Sequence, residues 1–192
     1  MAGPATIDNL IMSNRSSLIF SVQRYDPDSR DEILFKKQFL ELLEHPRAFF
    51  RDHLPGHITA SSWIIDRDRN FALLTHHAKL NRWLQPGGHA DGHEDVVAVA
   101  QREAYEETGL TSLHLLLPDI FDLDIHVIPA RRDFPEHYHY DIRFLFQASK
   151  EESITISEES SDLAWIPNTE IPRKTSNNIS ILRMAQKVQN LP

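Results

Sequence analysis

Three glutamates near the middle of the chain carry the clearest chemical pattern. Glu103, Glu106 and Glu107 stand at positions i, i+3 and i+4 of a segment with helical periodicity, so their carboxylates share one helix face. Like charges on one face repel each other unless a cation neutralises them. Carboxylate oxygens on a rigid element suit a hard divalent cation, and so few ligands favour Mg²⁺ over Ca²⁺. For these three residues alone, a solvated acidic face is an equally good interpretation.

The flanking residues favour the metal site. Residues 86–88 (Pro-Gly-Gly) are predicted as a tight turn whose backbone can approach a metal or a phosphate closely. Residues 96–100 are apolar nearly all round, so the helix should be buried and carry its carboxylates towards a sheltered site. Residues with fixed spacing then run from the glycines to the end of the helix: Gly88, Glu94, Arg102, Glu103, Glu106, Glu107 and Gly109.

This spacing resembles the Nudix box: Gly, five residues, Glu, seven residues, Arg-Glu, an aliphatic residue, any residue, Glu-Glu, any residue, Gly and an aliphatic residue. Ala104 departs from the bulkier aliphatic residue that is usual after Arg-Glu, which affects local packing more than chemistry. The resemblance implies that the three helix glutamates and the Gly88 carbonyl bind the metal. It also implies that Glu94 supports the metal shell and that Arg102 orients a neighbouring carboxylate.

The resemblance further implies an activity. The expected reaction is Mg²⁺-dependent hydrolysis of a pyrophosphate bond in a nucleoside diphosphate linked to another group, with Mn²⁺ as an alternative ion. A Nudix fold that senses a nucleotide without cleaving it is the alternative function, but such proteins usually lose box carboxylates that are all present here. Residues that mark ADP-ribose or diadenosine-polyphosphate relatives are absent after the box, where Ile125 and residues 126–128 stand, so the substrate stays unnamed.

The general base is expected among the helix glutamates, such as Glu103 and Glu106, or on a later loop. Of the later carboxylates, Glu136 is preferred because of its position just before a strand-like run. The other candidates are Asp141, Glu151, Glu152, Glu158 and Glu159.

Candidate substrate-binding residues follow Glu136. Strand alternation in residues 137–144 puts His137, His139, Asp141 and Arg143 on one face and apolar or aromatic residues on the other. The apolar face should meet the core. The polar face either lines the substrate cleft, where Arg143 would grip phosphate and the histidines would form hydrogen bonds, or faces solvent. Trp83 is a further candidate because its ring can stack on a nucleobase, although core packing is the commoner role.

Histidine is abundant, with eleven residues in the chain. Several lie in or beside segments near the predicted site: His76, His77, His89, His93, His137 and His139. A second metal bound by imidazole is one interpretation, since imidazole suits zinc, nickel or copper. Ordinary hydrogen bonding is the other, because no pair has a diagnostic ligand spacing.

The elements that must position these residues alternate irregularly between strand and helix. Strand-like runs are predicted at residues 57–66, 71–76, 121–128, 138–148 and 163–166, and helices at 95–108 and 178–189. This order indicates an α/β sandwich, and together with the box a Nudix-like α/β/α sandwich with a mixed sheet.

We expect a Nudix hydrolase domain at residues 56–192 after an N-terminal helical extension at residues 1–55. The extension includes a helix at 31–45 that is stopped by Pro46. Its apolar stripe indicates packing on one side of the core, with substrate selection or dimerisation as the alternative.

Composition sets the remaining limits. The chain has 192 residues, 41% hydrophobic and 25% charged, which fits a globular domain with a modest extension. A net charge of −8 argues against nucleic acid and anionic membranes as partners, so a small nucleotide substrate is expected, and a homodimer is left open. No cysteine is present, which excludes disulfides, a thiolate zinc site and the isopentenyl diphosphate isomerase chemistry that needs a catalytic cysteine. The N-terminus has no uninterrupted apolar run, so a cytoplasmic location is expected.

Overall fold

One mixed β-sheet runs through the molecule, with helices on both faces. The computed structural model describes residues 14–132 and 134–191. Helices in these residues are α1 (Asn14–Arg24), α2 (Arg30–Leu43), α3 (Val96–Thr108), α4 (Ile171–Lys174) and α5 (Ile179–Gln189). The strands are β1 (Gly56–Ile65), β2 (Phe71–His77), β3 (Arg82–Leu84), β4 (Gly87–His89), β5 (His114–Leu115), β6 (Asp122–Ile128), β7 (His137–Gln147) and β8 (Ser160–Pro167).

The two longest strands, β1 and β7, form the centre of the sheet and run parallel to each other. Every other pairing is antiparallel: β2 and β4 with β1, β3 and β8 with β2, and β5 and β6 with β7. In the central pair His57 lies opposite His139, and Thr59 lies opposite Asp141. Side chains that are far apart in the sequence therefore share one face of the sheet.

Each face of β1 has its own apolar layer. Ile58 and Ile64 belong to a core cluster that includes buried residues of α1, α2 and α3. Trp63 and Ile65, which alternate with them, belong to a second cluster with buried residues of α5. The sheet therefore lies between two helical layers, and the predicted α/β/α sandwich with a mixed sheet is confirmed.

Helices α1 and α2 form part of the first layer. Their buried residues in that cluster are Leu18, Val22, Phe39 and Leu43. Ser29 caps α2, where its hydroxyl oxygen accepts a hydrogen bond from the Glu32 N–H at 3.2 Å. The predicted packing of these helices on the core is confirmed, and residues 1–13 of the expected extension lie outside the described residues. Among those described, no helix has both the length and the apolar character needed to cross a bilayer.

Sequence patterns missed the shortest elements. Strands β3, β4 and β5 and helix α4 have only two to four residues, too few for a periodic pattern. The prediction of a tight turn at residues 86–88 is corrected, because Gly87 and Gly88 begin β4 and pair with Ser61 and Ala60. A Cβ added to Gly87 would lie 2.2 Å from the Cβ of Ser61, so the glycine permits close strand packing rather than a turn.

Candidate active site

Helix α3 presents the box glutamates. It begins where the Asp95 carboxylate accepts a hydrogen bond from the Ala98 N–H at 3.0 Å. It ends at Gly109, whose φ of 69° is the left-handed conformation that favours glycine. Buried Ala100 accepts a hydrogen bond from the Ser62 hydroxyl on β1 at 2.8 Å. The helix is thus fixed to the sheet, and its last two turns carry the glutamates.

Both glycines of β4 touch these glutamates. The Gly87 N–H donates to Oε1 of Glu107 at 2.8 Å. A Cβ added to Gly88 would lie 2.5 Å from the carboxylate carbon of Glu103, so only glycine lets the two groups approach this closely. The close backbone approach expected from the sequence is present, although a strand provides it.

Arg102 lies among the same groups. Its guanidinium is 2.8 Å from Oε1 of Glu103 and 3.2 Å from Oε2 of Glu106. It also donates to the backbone oxygen of His89 at 3.3 Å. Arg102 therefore ties two helix carboxylates to the end of β4, an arrangement suited to the orienting role that the resemblance implies.

The glutamates have too little positive charge around them. Burial raises the pKa of Glu107 to about 7, against the opposing Gly87 hydrogen bond and with further increases from Glu103, Glu159 and Glu106. Burial also raises the pKa of Glu103, with Arg102 opposing and Glu106 and Glu159 adding to the increase. An oxygen-only ligand set whose charge Arg102 compensates only in part, and which lies against half-buried glycine backbone, fits a hard divalent cation.

The loop between β4 and α3 is held by the N-terminal segment. Glu94, expected to support the metal shell, instead forms an ion pair with Arg15 of α1 at 2.9 Å. Asp91 accepts a hydrogen bond from Nε of Arg51 at 2.6 Å, and the Gly92 N–H donates to the Phe49 oxygen at 2.8 Å. The carboxylate of Glu94 is therefore engaged by the helical cover.

Arg51 is a cation near the site that the sequence interpretation missed. The hydrogen bond to Asp91 raises the pKa of Arg51, and Glu103 and Glu159 raise it further. Its side chain is exposed, and two of its guanidinium nitrogens pair with the Asp91 carboxylate. Only the contact with Asp91 reveals this position.

Glu159, one of the later carboxylates named as candidates, lies at the end of the loop before β8. It is exposed, and it contributes to the raised pKa values of both Glu103 and Glu107. Its backbone oxygen accepts a hydrogen bond from the Ala78 N–H at 3.0 Å, beside the end of β2. Glu136, which the sequence favoured, is exposed just before β7, and the main charges acting on Glu103 and Glu107 do not include it.

Arg143 corrects one expectation. Only 3% of this residue is exposed. Its guanidinium donates to Asp141 at 2.8 Å, to Asp122 and Asp124 at 3.0 Å each, and to the Ser180 hydroxyl at 2.6 Å. Arg143 is thus neutralised inside the fold and is not available to grip a substrate phosphate. Strand alternation indicated which face of β7 carries Arg143. Its contacts with Asp122 and Asp124 depend on the pairing of β6 with β7, which the sequence pattern does not give.

The rest of the polar face of β7 is also covered, which corrects the alternative that it faces solvent. His137 is buried, and the ring centroid of His139 lies 5.1 Å from that of His57. On the apolar face, Tyr140 meets Phe39 edge-on with a centroid distance of 5.3 Å, whereas Tyr138 is 41% exposed. The apolar face therefore meets the core from Tyr140 onward.

Trp83 lies on β3 at the second core cluster, against which its ring packs. The Lys174 ammonium lies 4.8 Å from the ring centroid, and the His76 ring centroid lies 5.2 Å away. The ring is partly buried, and these contacts match the packing role more closely than base stacking.

Comparisons with known proteins agree with this geometry. The model of the NUDIX domain matches residues 55–185. A binary complex of the C. elegans Ap4A hydrolase is similar, with a TM-score of 0.56 and 18% identity over 69% of this chain and 94% of that one. The E. coli dihydroneopterin triphosphate pyrophosphohydrolase has a TM-score of 0.54 and 15% identity, over 70% of this chain and 96% of that one. A NUDIX family hydrolase from Clostridium perfringens has a TM-score of 0.52 and 22% identity, over 71% of this chain and 98% of that one. A search of curated protein sequences found no match.

The chain belongs to the Nudix family, because the family model covers more than half of it. The solved structures, at these identities, add that the fold is shared. With the family established and every box carboxylate present, the protein is an enzyme of the Nudix pyrophosphohydrolase class. The resemblance read from the box is thereby confirmed.

Proposed function

We propose that this enzyme hydrolyses a pyrophosphate bond in a nucleoside diphosphate linked to another group, with Mg²⁺ as its ion and Mn²⁺ as an alternative. One observation carries the proposal: the backbone of Gly87 and Gly88 lies directly against the carboxylates of Glu107 and Glu103. Clustered carboxylates beside an accessible backbone, with too little positive charge, suit a cation that also takes phosphate oxygens.

Each box residue has a role in this proposal. Glu103, Glu106 and Glu107, with the Gly88 carbonyl, would hold the ion, which when bound would polarise the diphosphate and lower the pKa of a water molecule. Arg102 keeps the first two glutamates in position through its ion pairs. The water oxygen forms a bond to one phosphorus, the bridging oxygen leaves with the other phosphate, and a carboxylate takes the water proton.

We propose that Glu159, rather than Glu136, is the general base that takes this proton. Glu159 is exposed and lies close enough to Glu103 and Glu107 to raise the pKa of both. Arg51 lies near the same groups and would attract a diphosphate of the substrate.

The main experiment is a phosphate-release assay with Mg²⁺ on nucleotide sugars, dinucleotides and nucleoside triphosphates, with and without chelator. Glu106→Gln should lower turnover by at least about a hundredfold, because it removes a metal ligand. Glu41→Gln, an exposed glutamate on α2, is the matched control and should retain full turnover. A Glu106→Gln variant with near-normal turnover would contradict the assignment. Nucleotide binding without any release would favour the sensor function instead.

The base is tested with three matched substitutions. Glu159→Gln should lower kcat by about a hundredfold or more, the usual contribution of a general base. Glu158→Gln, its exposed neighbour, and Glu136→Gln should both leave kcat unchanged. If Glu136→Gln carries the loss and Glu159→Gln does not, the sequence-based preference was right and our assignment is wrong.

A further inference from the structure

Five histidines from four strands converge on one face of the sheet. They are His57 on β1, His89 on β4, His126 on β6, and His137 and His139 on β7. Neighbouring ring centroids in this group are 4.9 to 5.5 Å apart. Of these five histidines, only His89 lies within the box motif. The proposed hydrolysis uses none of them.

Three of them lie close enough together to bind one metal ion after a small movement. His57, His137 and His139 each offer one ring nitrogen, and these nitrogens lie within 4.8 Å of one another. Zinc–nitrogen bonds of about 2.0–2.1 Å put tetrahedral ligands about 3.4 Å apart, so each nitrogen needs to move by about 0.8 Å towards the centre of the group. Small ring rotations are enough for such a shift.

Backbone hydrogen bonds fix which nitrogen is free in two of the rings. Nδ1 of His137 lies 2.9 Å from the Pro135 carbonyl oxygen, and Nδ1 of His57 lies 3.3 Å from that of His53. A carbonyl only accepts, so both Nδ1 atoms carry the proton and Nε2 keeps its lone pair. In histidines that bind a metal through Nε2, a hydrogen bond from Nδ1–H to a carbonyl oxygen fixes the orientation of the ring.

Two of the three rings have a buried nitrogen that lacks a partner within the described part of the chain. Among the described residues, Nε2 of His57 and Nε2 of His139 are buried without a hydrogen-bond partner. His126 differs, because its Nδ1 lies 3.1 Å from the Asp124 carboxylate.

We propose that His57, His137 and His139 form a second metal site that binds a borderline transition-metal ion, Zn²⁺ first, separately from the box glutamates. Neutral imidazole suits Zn²⁺, whereas Mg²⁺ prefers carboxylate, carbonyl and water oxygens, so the two sites select different ions. Three protein ligands leave a fourth position for water or for His89, whose ring lies beside His57 and His139. This proposal does not depend on the proposed hydrolysis.

The first test counts bound zinc. Full-length protein is stripped with chelator, loaded with Zn²⁺ in excess Mg²⁺, desalted and measured by mass spectrometry of the metal. About one Zn²⁺ per chain should remain, and it should remain in a Glu103→Gln/Glu106→Gln/Glu107→Gln variant. A His137→Gln/His139→Gln variant should lose it, while His114→Gln, an exposed histidine on β5, should keep it. Zinc that is lost with the glutamates and kept without the histidines would overturn the proposal.

The second test needs no substitution in the buried group, where a changed side chain disturbs packing. X-ray absorption at the zinc edge of the loaded, unsubstituted protein should show imidazole scattering from about three nitrogens near 2.0 Å. A shell made of oxygen alone would overturn the proposal whatever the variants do.

Discussion

Gly87 and Gly88, the neighbouring glycines of β4, are needed for different reasons. A Cβ on Gly88 would meet the carboxylate of Glu103 at 2.5 Å, the end of a flexible side chain that can swing aside. A Cβ on Gly87 would meet Ser61 at 2.2 Å from its Cβ and 2.7 Å from its Cα, where the backbone of β1 has to move. A side chain at residue 88 would therefore displace a proposed metal ligand, whereas a side chain at residue 87 would disturb the packing of the sheet.

Gly88→Ala should therefore cost activity and Gly87→Ala should cost stability. We expect Gly88→Ala to lower turnover by roughly a hundredfold, as a ligand displaced by about 1 Å does. Gly87→Ala should lower the free energy of unfolding by about 1–3 kcal/mol through overpacking. Phosphate release and urea unfolding of both variants separate the two effects. Normal turnover in Gly88→Ala would mean that the position of Glu103 is not critical.

At the level of elements, the N-terminal helices do more than cover the core. Arg15 of α1 donates to the carbonyl oxygens of His45 and Pro46 at 3.2 and 3.1 Å, and it pairs with Glu94 of the box loop. This single side chain joins α1, the end of α2 and the proposed active site. We propose that residues 14–55, the described part of the expected extension, stabilise the hydrolase domain that follows them.

Two phenylalanines of these helices test that dependence. Phe39 on α2 is fully buried, so Phe39→Ala should lower the free energy of unfolding by about 3–5 kcal/mol. Phe20 on α1 is 49% exposed, and Phe20→Ala should change it by no more than about 0.5 kcal/mol. Urea unfolding measures both. Equal, small effects would indicate that the helices contribute little to the stability of the domain.

Across the whole molecule, a buried charge network links elements from both ends of the chain. Lys187 of α5 lies 2.7 Å from Glu32 of α2 and 2.8 Å from Asp122 of β6. Burial by itself raises the pKa of Asp122, but Arg183, Arg143 and Lys187 outweigh it and hold that pKa below its ordinary value. Asp124 has a lowered pKa for the same reason, chiefly because of Arg143.

These depressed pKa values give a dependence of stability on pH. The contribution of Asp122 and Asp124 is complete above their unfolded pKa of about 4, and it is lost as pH falls further towards their folded values. In urea unfolding below pH 4, Asp124→Asn should therefore show a shallower loss of stability than the unsubstituted protein. Asp68→Asn, at an exposed position, should keep the original slope. An unchanged slope in Asp124→Asn would contradict this account.

The sequence by itself determined what is local along the chain. The glutamates share a face because helix geometry relates positions i, i+3 and i+4. The start of α3 at Asp95 and its end at Gly109 follow from residues within one turn of each terminus. The long strands also followed from periodic patterns, since each run spans enough residues to show one, whereas the mixed sheet was expected from the resemblance to the Nudix fold.

The tertiary structure decided which distant residues meet. Strand register pairs His57 with His139 and brings the aspartates of β6 to Arg143, and a slip of one residue would move every one of these side chains to the other face. The position of the loop before β8 lets the charge of Glu159 add to the raised pKa values of Glu103 and Glu107. No pattern in one segment fixes such contacts, because their free energy depends on burial and charge contributed by other strands.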